Sequence, residues 1–408
     1  MVVKRTLKER CHIDTDEDGD CFVGVKADSN DTIVYFPLGY ELPLNEQEIR
    51  RDIQFLFRIL ATFTTKEDRV LHMKKNEAPQ SVNFPIQAYL DVLNYYLDNG
   101  GYYTEKESQY SKSTRGKTNW SKTVKNITPV VQNKSFLYFS QIVRTSTPNE
   151  DRLITQINKY CVYESFEKLG WLFGTNMPEK SNLKLEKDHW IMILNDKISH
   201  SNNEVDKSLF KAMIAMIRYL DENTLDKQFY FGTEHFEYVW QGMIDKVFGI
   251  KNKDYYFPRA SWKEKFGLRK GIQKHALEPD SIMIFENKFY ILDAKFYRYG
   301  DTGIPDHLPN SSDINKQITY GEFVRNKENL DNKALYNAFL MPFNMKSNIF
   351  GVNGWVENIA EASGDWRNLP NLNYEKIQGI VVDVRFLMYH LEGNHDKEKG
   401  ALAKAIEA

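Results

Sequence analysis

The sequence predicts a two-domain protein of the α/β (α+β) class. Three observations lead there. Short β-like runs precede periodic helices in the first third of the chain, the order helix, hairpin, helix, strand runs through the second half, and a breaker-rich segment separates the two. At 408 residues, 41% hydrophobic and 13% aromatic, the chain has enough apolar material for a separate core in each domain.

The runs Cys21 to Val25 and Thr32 to Phe36 are strand-like, and from Asn45 the apolar residues Ile49, Ile53, Leu56, Phe57 and Leu60 recur at helical spacing. A second helix is expected from Phe84 to Leu97, ended by Gly100-Gly101, with the polar stretch Tyr102 to Lys117 as an exposed loop. Ser135 to Val143 reads as a strand. The segment Thr145-Ser-Thr-Pro-Asn-Glu150 then marks the boundary, giving a smaller mixed α/β amino-terminal domain over residues 1–148 and a second domain over 149–408 that opens with helices at 150–225. Leu153 to Leu172, Asp206 to Leu220 and Thr233 to Phe248 carry helical patterns. A hairpin follows at Ser281 to Lys295, a helix at Asp313 to Val324 and an apolar strand at Ile377 to Phe386.

A formal net charge of −2 means that nucleic-acid binding has to come from local basic surface. Cys11, Cys21 and Cys161 are too few and too scattered for a disulfide framework or a zinc site. The charged segment Met1 to Arg10 has no apolar core, and no run of about 18 apolar residues occurs, so a membrane span is not expected and a cytoplasmic setting is.

Two motifs imitate chemistry. Asp14, Asp16, Asp18 and Gly19 match half of a calcium loop, but the position for its bidentate Glu falls on Val25. Arg115-Gly-Lys-Thr118 ends like a phosphate-binding loop, yet Ser111 stands where the earlier glycine is required. The chain is therefore not expected to hydrolyse nucleoside triphosphates.

The hairpin carries the strongest signal. Ser281 to Phe285 and Phe289 to Asp293 are β-formers around Glu286-Asn287-Lys288, a turn composition. A turn centred between Glu286 and Asn287 sets Asp280 opposite Asp293, and the two-residue period puts Lys295 on the same face as Asp293. Two facing carboxylates repel unless a cation lies between them, and hard oxygen ligands favour Mg²⁺, with Mn²⁺ as an alternative. Such an ion polarises a phosphodiester oxygen and lowers the pKa of water, while Lys295 helps to hold or deprotonate that water.

Neighbouring elements add candidates. Glu237 lies at the margin of the stripe Phe236, Val239, Trp240, Met243, Val247, Phe248 and is the expected third acidic ligand, with Gln241 a polar neighbour one turn on. Gln317 and Tyr320 share a helix face and are the expected supporting groups for a phosphate or a water. Between Lys251 and His275 eight basic residues against Asp254 and Glu264 give net +6, interleaved with Tyr255, Tyr256, Phe257, Trp262 and Phe266. Within this stretch Lys263, Lys265, Arg269, Lys270 and Lys274 are the expected contacts to double-stranded DNA. A second basic patch, Lys112, Arg115, Lys117, Lys122 and Lys125 around Trp120, contains no acid.

Pro279-Asp280, twelve residues, then Asp293-Ala294-Lys295 after an acidic helix resembles the PD-(D/E)xK nuclease superfamily. That resemblance implies a restriction-endonuclease-like core, a mixed sheet flanked by helices, in which Asp280, Asp293 and a helix Glu such as Glu237 bind Mg²⁺ and Lys295 assists the attacking water. Gln317-x-x-Tyr320 is similar to the glutamine–tyrosine pair of its RecB-like branch, one residue shorter than the usual spacing. Together with Gly116-Lys-Thr-Asn-Trp120-Ser-Lys-Thr123 and Phe236-Glu-x-x-Trp240, the hairpin is similar to LlaJI-type restriction endonucleases and McrC nuclease subunits over roughly residues 30 to 390. This narrower resemblance implies a bacterial defence endonuclease working with a separate AAA+ GTPase of McrB type, and it leaves room for a homodimer. The alternatives are an inactive nuclease-like module that binds DNA or bridges to a motor, and a repair or recombination nuclease of the same fold.

Overall fold

The computed structural model describes residues 6–13, 22–27, 32–63, 84–132, 134–174, 176–222, 229–262, 265, 272–331, 334–365 and 372–408. The chain divides into two compact units, one of Met1–Phe84 with Asp226–Ala408, the other of Pro85–Leu225. The class is mixed α and β in both.

The first unit begins with β1 (Cys11–Ile13), β2 (Val23–Ala27), β3 (Thr32–Phe36) and α1 (Glu46–Phe63). In α1 the residues Ile49, Ile53, Leu56, Phe57 and Leu60 are fully buried, the apolar stripe that their spacing predicts. Asp52 interrupts that stripe and is itself fully buried. Arg385 answers it with Nε 3.0 Å from Oδ2 and Nη2 3.2 Å from Oδ1, and the Tyr389 hydroxyl donates to the same carboxylate.

The second unit contains α2 (Ile86–Asp98), β4 (Glu105–Ser113), β5 (Lys117–Thr118), α3 (Trp120–Asn126), β6 (Val130–Gln132), β7 (Ser135–Leu137), β8 (Gln141–Asn149), α4 (Leu153–Phe173), α5 (Lys187–His200) and α6 (Glu204–Glu222). Strands β4, β8 and β5 form a sheet with β8 in the middle, β6 pairs with β7, and α6 packs on α2 and α5. The stretch expected as a loop is thus largely β4, an edge strand whose residues are mostly exposed or half-buried, so no buried face imposes an alternating pattern. The boundary expected after residue 148 falls inside β8, within this unit. Pro148 is tolerated there because β5 pairs with β8 only at Val143 and Arg144, leaving Pro148 with β4 alone as a ladder partner. Glu105 ties β4 to the helices, accepting from Arg152 at 2.8 Å and Lys197 at 2.6 Å.

The chain then returns to the first unit with β9 (Phe229–Thr233), α7 (Phe236–Phe248), β10 (Arg259–Trp262), β11 (Ile272–Ala276), β12 (Ser281–Phe285) and β13 (Lys288–Ala294). After these come α8 (Tyr299–Thr302), α9 (Ser311–Glu328), β14 (Leu335–Phe343), β15 (Val356–Ala362), β16 (Ile377–Asp383), α10 (Val384–Tyr389) and α11 (Asp396–Glu407). Strand β9 pairs with β2 in a sheet of order β1-β3-β2-β9, which joins the first 84 residues to the carboxy-terminal half. Gly24 permits this pairing: at φ +145° a Cβ there would lie 2.2 Å from the Phe231 carbonyl oxygen.

The main sheet has the order β12-β13-β14-β16-β15. It is mixed, since β13, β14 and β16 run parallel while β12 and β15 pair antiparallel at the edges. The parallel step from β13 to β14 needs a crossover, which α9 supplies. On the α9 side Ile291, Ile318, Val324, Leu335, Phe339 and Ile377 form one buried cluster. The alternate residue Tyr290 turns the other way, where its hydroxyl donates to Glu407 of α11. Helix α7 contacts α11 and anchors itself through Trp240, whose Nε1 donates to the Leu340 carbonyl at 3.1 Å. Among the described residues no helix is long and apolar enough to cross a membrane.

Candidate active site

The hairpin of β12 and β13 pairs Ser281 with Leu292 and Phe285 with Lys288. Glu286 and Asn287 turn the chain with φ of 48° and 62°, the left-handed pair of a two-residue hairpin loop. One step beyond Ser281 and Leu292, Asp280 meets Asp293, and their carboxyl groups lie within hydrogen-bond reach.

Each member has fixed partners. Asp280 accepts from the Ala294 backbone N–H at 2.8 Å through Oδ2 and from Gln241 Nε2 through Oδ1. Asp293 is 3% exposed. Lys295 Nζ lies 2.9 Å from Asp293 Oδ2 and 2.9 Å from Asp313 Oδ1, bridging β13 to the start of α9. Asp313 can serve because it is already held: it belongs to a capping box in which Asn310 caps α9 and Asp313 accepts back from the Asn310 N–H.

Burial, the neighbouring Asp293 charge and the hydrogen bond to it push the Asp280 carboxyl well above the ordinary carboxylate range, against the Ala294 N–H and Lys295. Asp280 is therefore the carboxyl biased toward its protonated form. Burial lowers the Lys295 pKa, but the Asp293 charge and the bonds to Asp313 and Asp293 outweigh it, so the ammonium stays charged. Two facing carboxylates are hard oxygen donors that could hold Mg²⁺ or Mn²⁺, a cation displacing the proton that Asp280 favours. Among the described residues no group of three His, Cys, Asp or Glu side chains is set to hold a metal.

This coupling has a measurable sign. A carboxyl whose folded pKa is raised stabilises the fold below its unfolded value and loses that contribution as pH rises through the folded value. The contribution of Asp280 to stability falls as pH climbs above the ordinary carboxylate range, and a cation bound there would relieve the loss. Saturating Mg²⁺ is expected to raise the melting temperature more at mildly alkaline than at mildly acidic pH. Equal increments at both would contradict a raised Asp280 pKa at a cation site.

Glu237, the expected third ligand, is not brought to the pair. It is exposed in the first turn of α7, with Oε1 2.6 Å from His235 Nδ1. Gln241, one turn later, takes the place facing Asp280. Gln317 and Tyr320 are both fully buried and act on the backbone beside the acids. Gln317 Nε2 donates to the Ile291 carbonyl at 2.8 Å, and the Tyr320 hydroxyl donates to the Glu278 carbonyl at 3.1 Å. Each contact lies two residues before an aspartate.

Of the expected DNA contacts, Lys265 is exposed and Lys274 lies in β11, while Lys263, Arg269 and Lys270 are outside the described residues. So is the acidic stretch Asp14 to Gly19. Strands β10 and β11 form an antiparallel ribbon that runs into Glu278-Pro279-Asp280, with Arg259 and Trp262 exposed on it. In the second unit Lys112, Arg115, Lys117, Lys122, Lys125 and Trp120 are all exposed around β4, β5 and α3. Sequence reasoning missed Asp313, although Asn310-x-x-Asp313 carries the capping-box spacing that places it.

The model of a family described as LlaJI restriction endonuclease matches residues 22–359. The chain is 28% identical over 383 residues, 86% of its length and 79% of the other's, to the Type II restriction enzyme BsuMI component YdjA of Bacillus subtilis (strain 168). It is also similar to a half-complex from a tetradecameric assembly of Thermococcus gammatolerans McrB AAA+ hexamers with bound McrC, at TM-score 0.40 and 13% identity, over 94% of this chain and 82% of that one. A second solved structure, the Thermococcus gammatolerans McrBC complex, matches at TM-score 0.21 and 16% identity, over 49% of this chain and 64% of that one.

Proposed function

The chain belongs to the LlaJI restriction endonuclease family, and we propose that its Asp280–Asp293–Lys295 site hydrolyses phosphodiester bonds of double-stranded DNA with Mg²⁺, or Mn²⁺ in its place. The observation that carries this reading is the juxtaposition at one end of the mixed sheet of two neighbouring carboxyl groups, Asp280 and Asp293, and a lysine fixed between two acids.

Asp280 and Asp293 would hold the cation, whose chemistry when bound is Lewis acidity toward a phosphodiester oxygen and a lowered pKa for water. Lys295 stays charged in its bridge, so its part is to orient the attacking water and offset negative charge developing on the phosphate. It is not the base. Gln241 and the Ala294 N–H orient the Asp280 carboxylate, while Gln317 and Tyr320 pin the strand and the turn that carry the two acids. The basic, aromatic ribbon of β10 and β11 supplies phosphate contacts next to the reacting centre. The chain works, on this reading, with a separate AAA+ GTPase of McrB type, which would provide the nucleotide hydrolysis for which this sequence has no phosphate-binding loop.

A supercoiled plasmid incubated with the protein and Mg²⁺, with and without an AAA+ GTPase of McrB type and GTP, is expected to be linearised when metal is present and left intact with a chelator. Absence of cleavage under every condition would sink the enzymatic reading.

A further inference from the structure

We propose that Lys253 and Asp245 are positioning residues that fix the Asp280 main chain and thereby set the affinity of the site for a divalent cation; this rests on the reading of Asp280 as a metal ligand. Lys253 Nζ donates to the Asp280 carbonyl oxygen at 2.6 Å and lies 2.8 Å from Asp245 Oδ2. Asp245 stands one turn after Gln241 on α7, so a single helix face reaches Asp280 twice, through Gln241 to its carboxylate and through Asp245 and Lys253 to its carbonyl.

Asp280 precedes β12 rather than lying in it, so the sheet ladder does not hold it. Its carboxylate is fixed by Ala294 and Gln241, and the turn before it by Tyr320 on the Glu278 carbonyl. Without Lys253 the Asp280 carbonyl loses this restraint, and the main chain that carries the carboxylate would be freer to shift relative to Asp293. A ligand sphere of two carboxylates tolerates little of this, because Mg²⁺ demands near-ideal octahedral geometry.

The local packing is built around this contact. The other oxygen of Asp245, Oδ1, is buried beside the equally buried Ser281 hydroxyl, and neither has a hydrogen-bond partner. Both close on Gly249, where an added Cβ would lie 2.3 Å from Asp245 Oδ1 and 2.8 Å from Ser281 Oγ. Glycine at that position lets the end of α7 approach the first residue of β12. The neighbouring Ile250 N–H donates to the Ile282 carbonyl at 2.9 Å and locks the approach. The Lys253 and Asp245 side chains are 27% and 33% exposed, and ion pairs open to water add little to stability. Geometry, rather than stability, is what the pair supplies.

The test is Mn²⁺ titration of the full chain without DNA, followed by electron paramagnetic resonance, alongside metal-free thermal melting. Lys253→Met is expected to weaken Mn²⁺ binding by about 10-fold or more, the range for residues that orient metal ligands, with melting nearly unchanged. Lys253→Arg is expected to restore binding to within a few-fold. Should Lys253→Met fail to fold, Asp245→Ala carries the same expectation, since it leaves the lysine in place but unanchored. Binding by Lys253→Met equal to the unaltered chain, while Asp280→Asn loses it, overturns the positioning role alone. Unchanged binding by Asp280→Asn overturns the metal-site reading beneath it. Equal loss in Lys253→Met and Lys253→Arg, with lowered melting in both, reduces the contact to a structural one and overturns the inference.

Discussion

Lys295→Met is expected to lower Mg²⁺-dependent DNA cleavage by about 10²- to 10³-fold, the usual cost of one group aimed at charge that develops in the transition state. The lysine sits 2.9 Å from each of Asp293 and Asp313, and it is charged because those acids hold it so. Methionine keeps the stem but removes the cation, leaving Asp313 without this partner and the Asp280–Asp293 pair without its neighbouring positive charge. DNA affinity is expected to stay within a few-fold, since phosphate binding draws on a spread of basic residues. Lys295→Arg then separates two roles. A fixed cation survives the exchange in part, whereas a proton-accepting base does not, so Arg should retain clearly more activity than Met. Single-turnover cleavage alongside fluorescence anisotropy reads both quantities, and equal activity of the Met variant and the unaltered protein would contradict the assignment.

Asp52→Ala carries the largest expected effect on stability. Asp52 is fully buried on the apolar face of α1, and its removal leaves the Arg385 guanidinium, itself three-quarters buried, without its bidentate partner and Tyr389 without an acceptor. Breaking a buried pair by deleting one member costs about 3–5 kcal/mol. For a unit of this size that is roughly 10 °C in melting temperature. Arg385 follows Asp383, which caps α10 by accepting from the Phe386 N–H, so the loss is transmitted to the end of β16. Circular dichroism melting of Asp52→Ala gives the answer, and a shift of less than a few degrees would mean that the amino-terminal helix is held by its apolar stripe alone.

The hairpin was legible because three local signals agree: β-forming runs, a polar turn and a two-residue period that fixes which side chains share a face. Asp280 facing Asp293 follows from arithmetic on that turn. Glu237 shows where such reasoning stops. Periodicity gives the angle of a residue about the helix axis but not which turn stands over the site, and Glu237 is one turn, about 5.4 Å, too early, with Gln241 at the right height. Strand β14 was not read at all. Buried throughout except Tyr336, it has no alternation to distinguish it from a short helix, and Pro342 argues against a central strand. The division into units was hidden for a different reason: the pairing of β2 with β9 spans about two hundred residues, and no local pattern records it. Lys253 and Asp245 were equally silent, because a lysine that reaches a carbonyl looks in sequence like any member of a basic run.

If the Asp280–Asp293 pair is a metal-dependent DNA-cleaving centre, cleavage depends on both carboxylates and on the cation. Plasmid cleavage by the unaltered chain and by the Asp280→Asn, Asp293→Asn double variant, each with Mg²⁺ or with chelator and in the presence of the GTPase partner, tests it most directly. Cleavage is expected from the unaltered chain with Mg²⁺ and not with chelator, and none from the double variant although it binds the same DNA. Cleavage by the double variant at the rate of the unaltered chain would contradict this expectation.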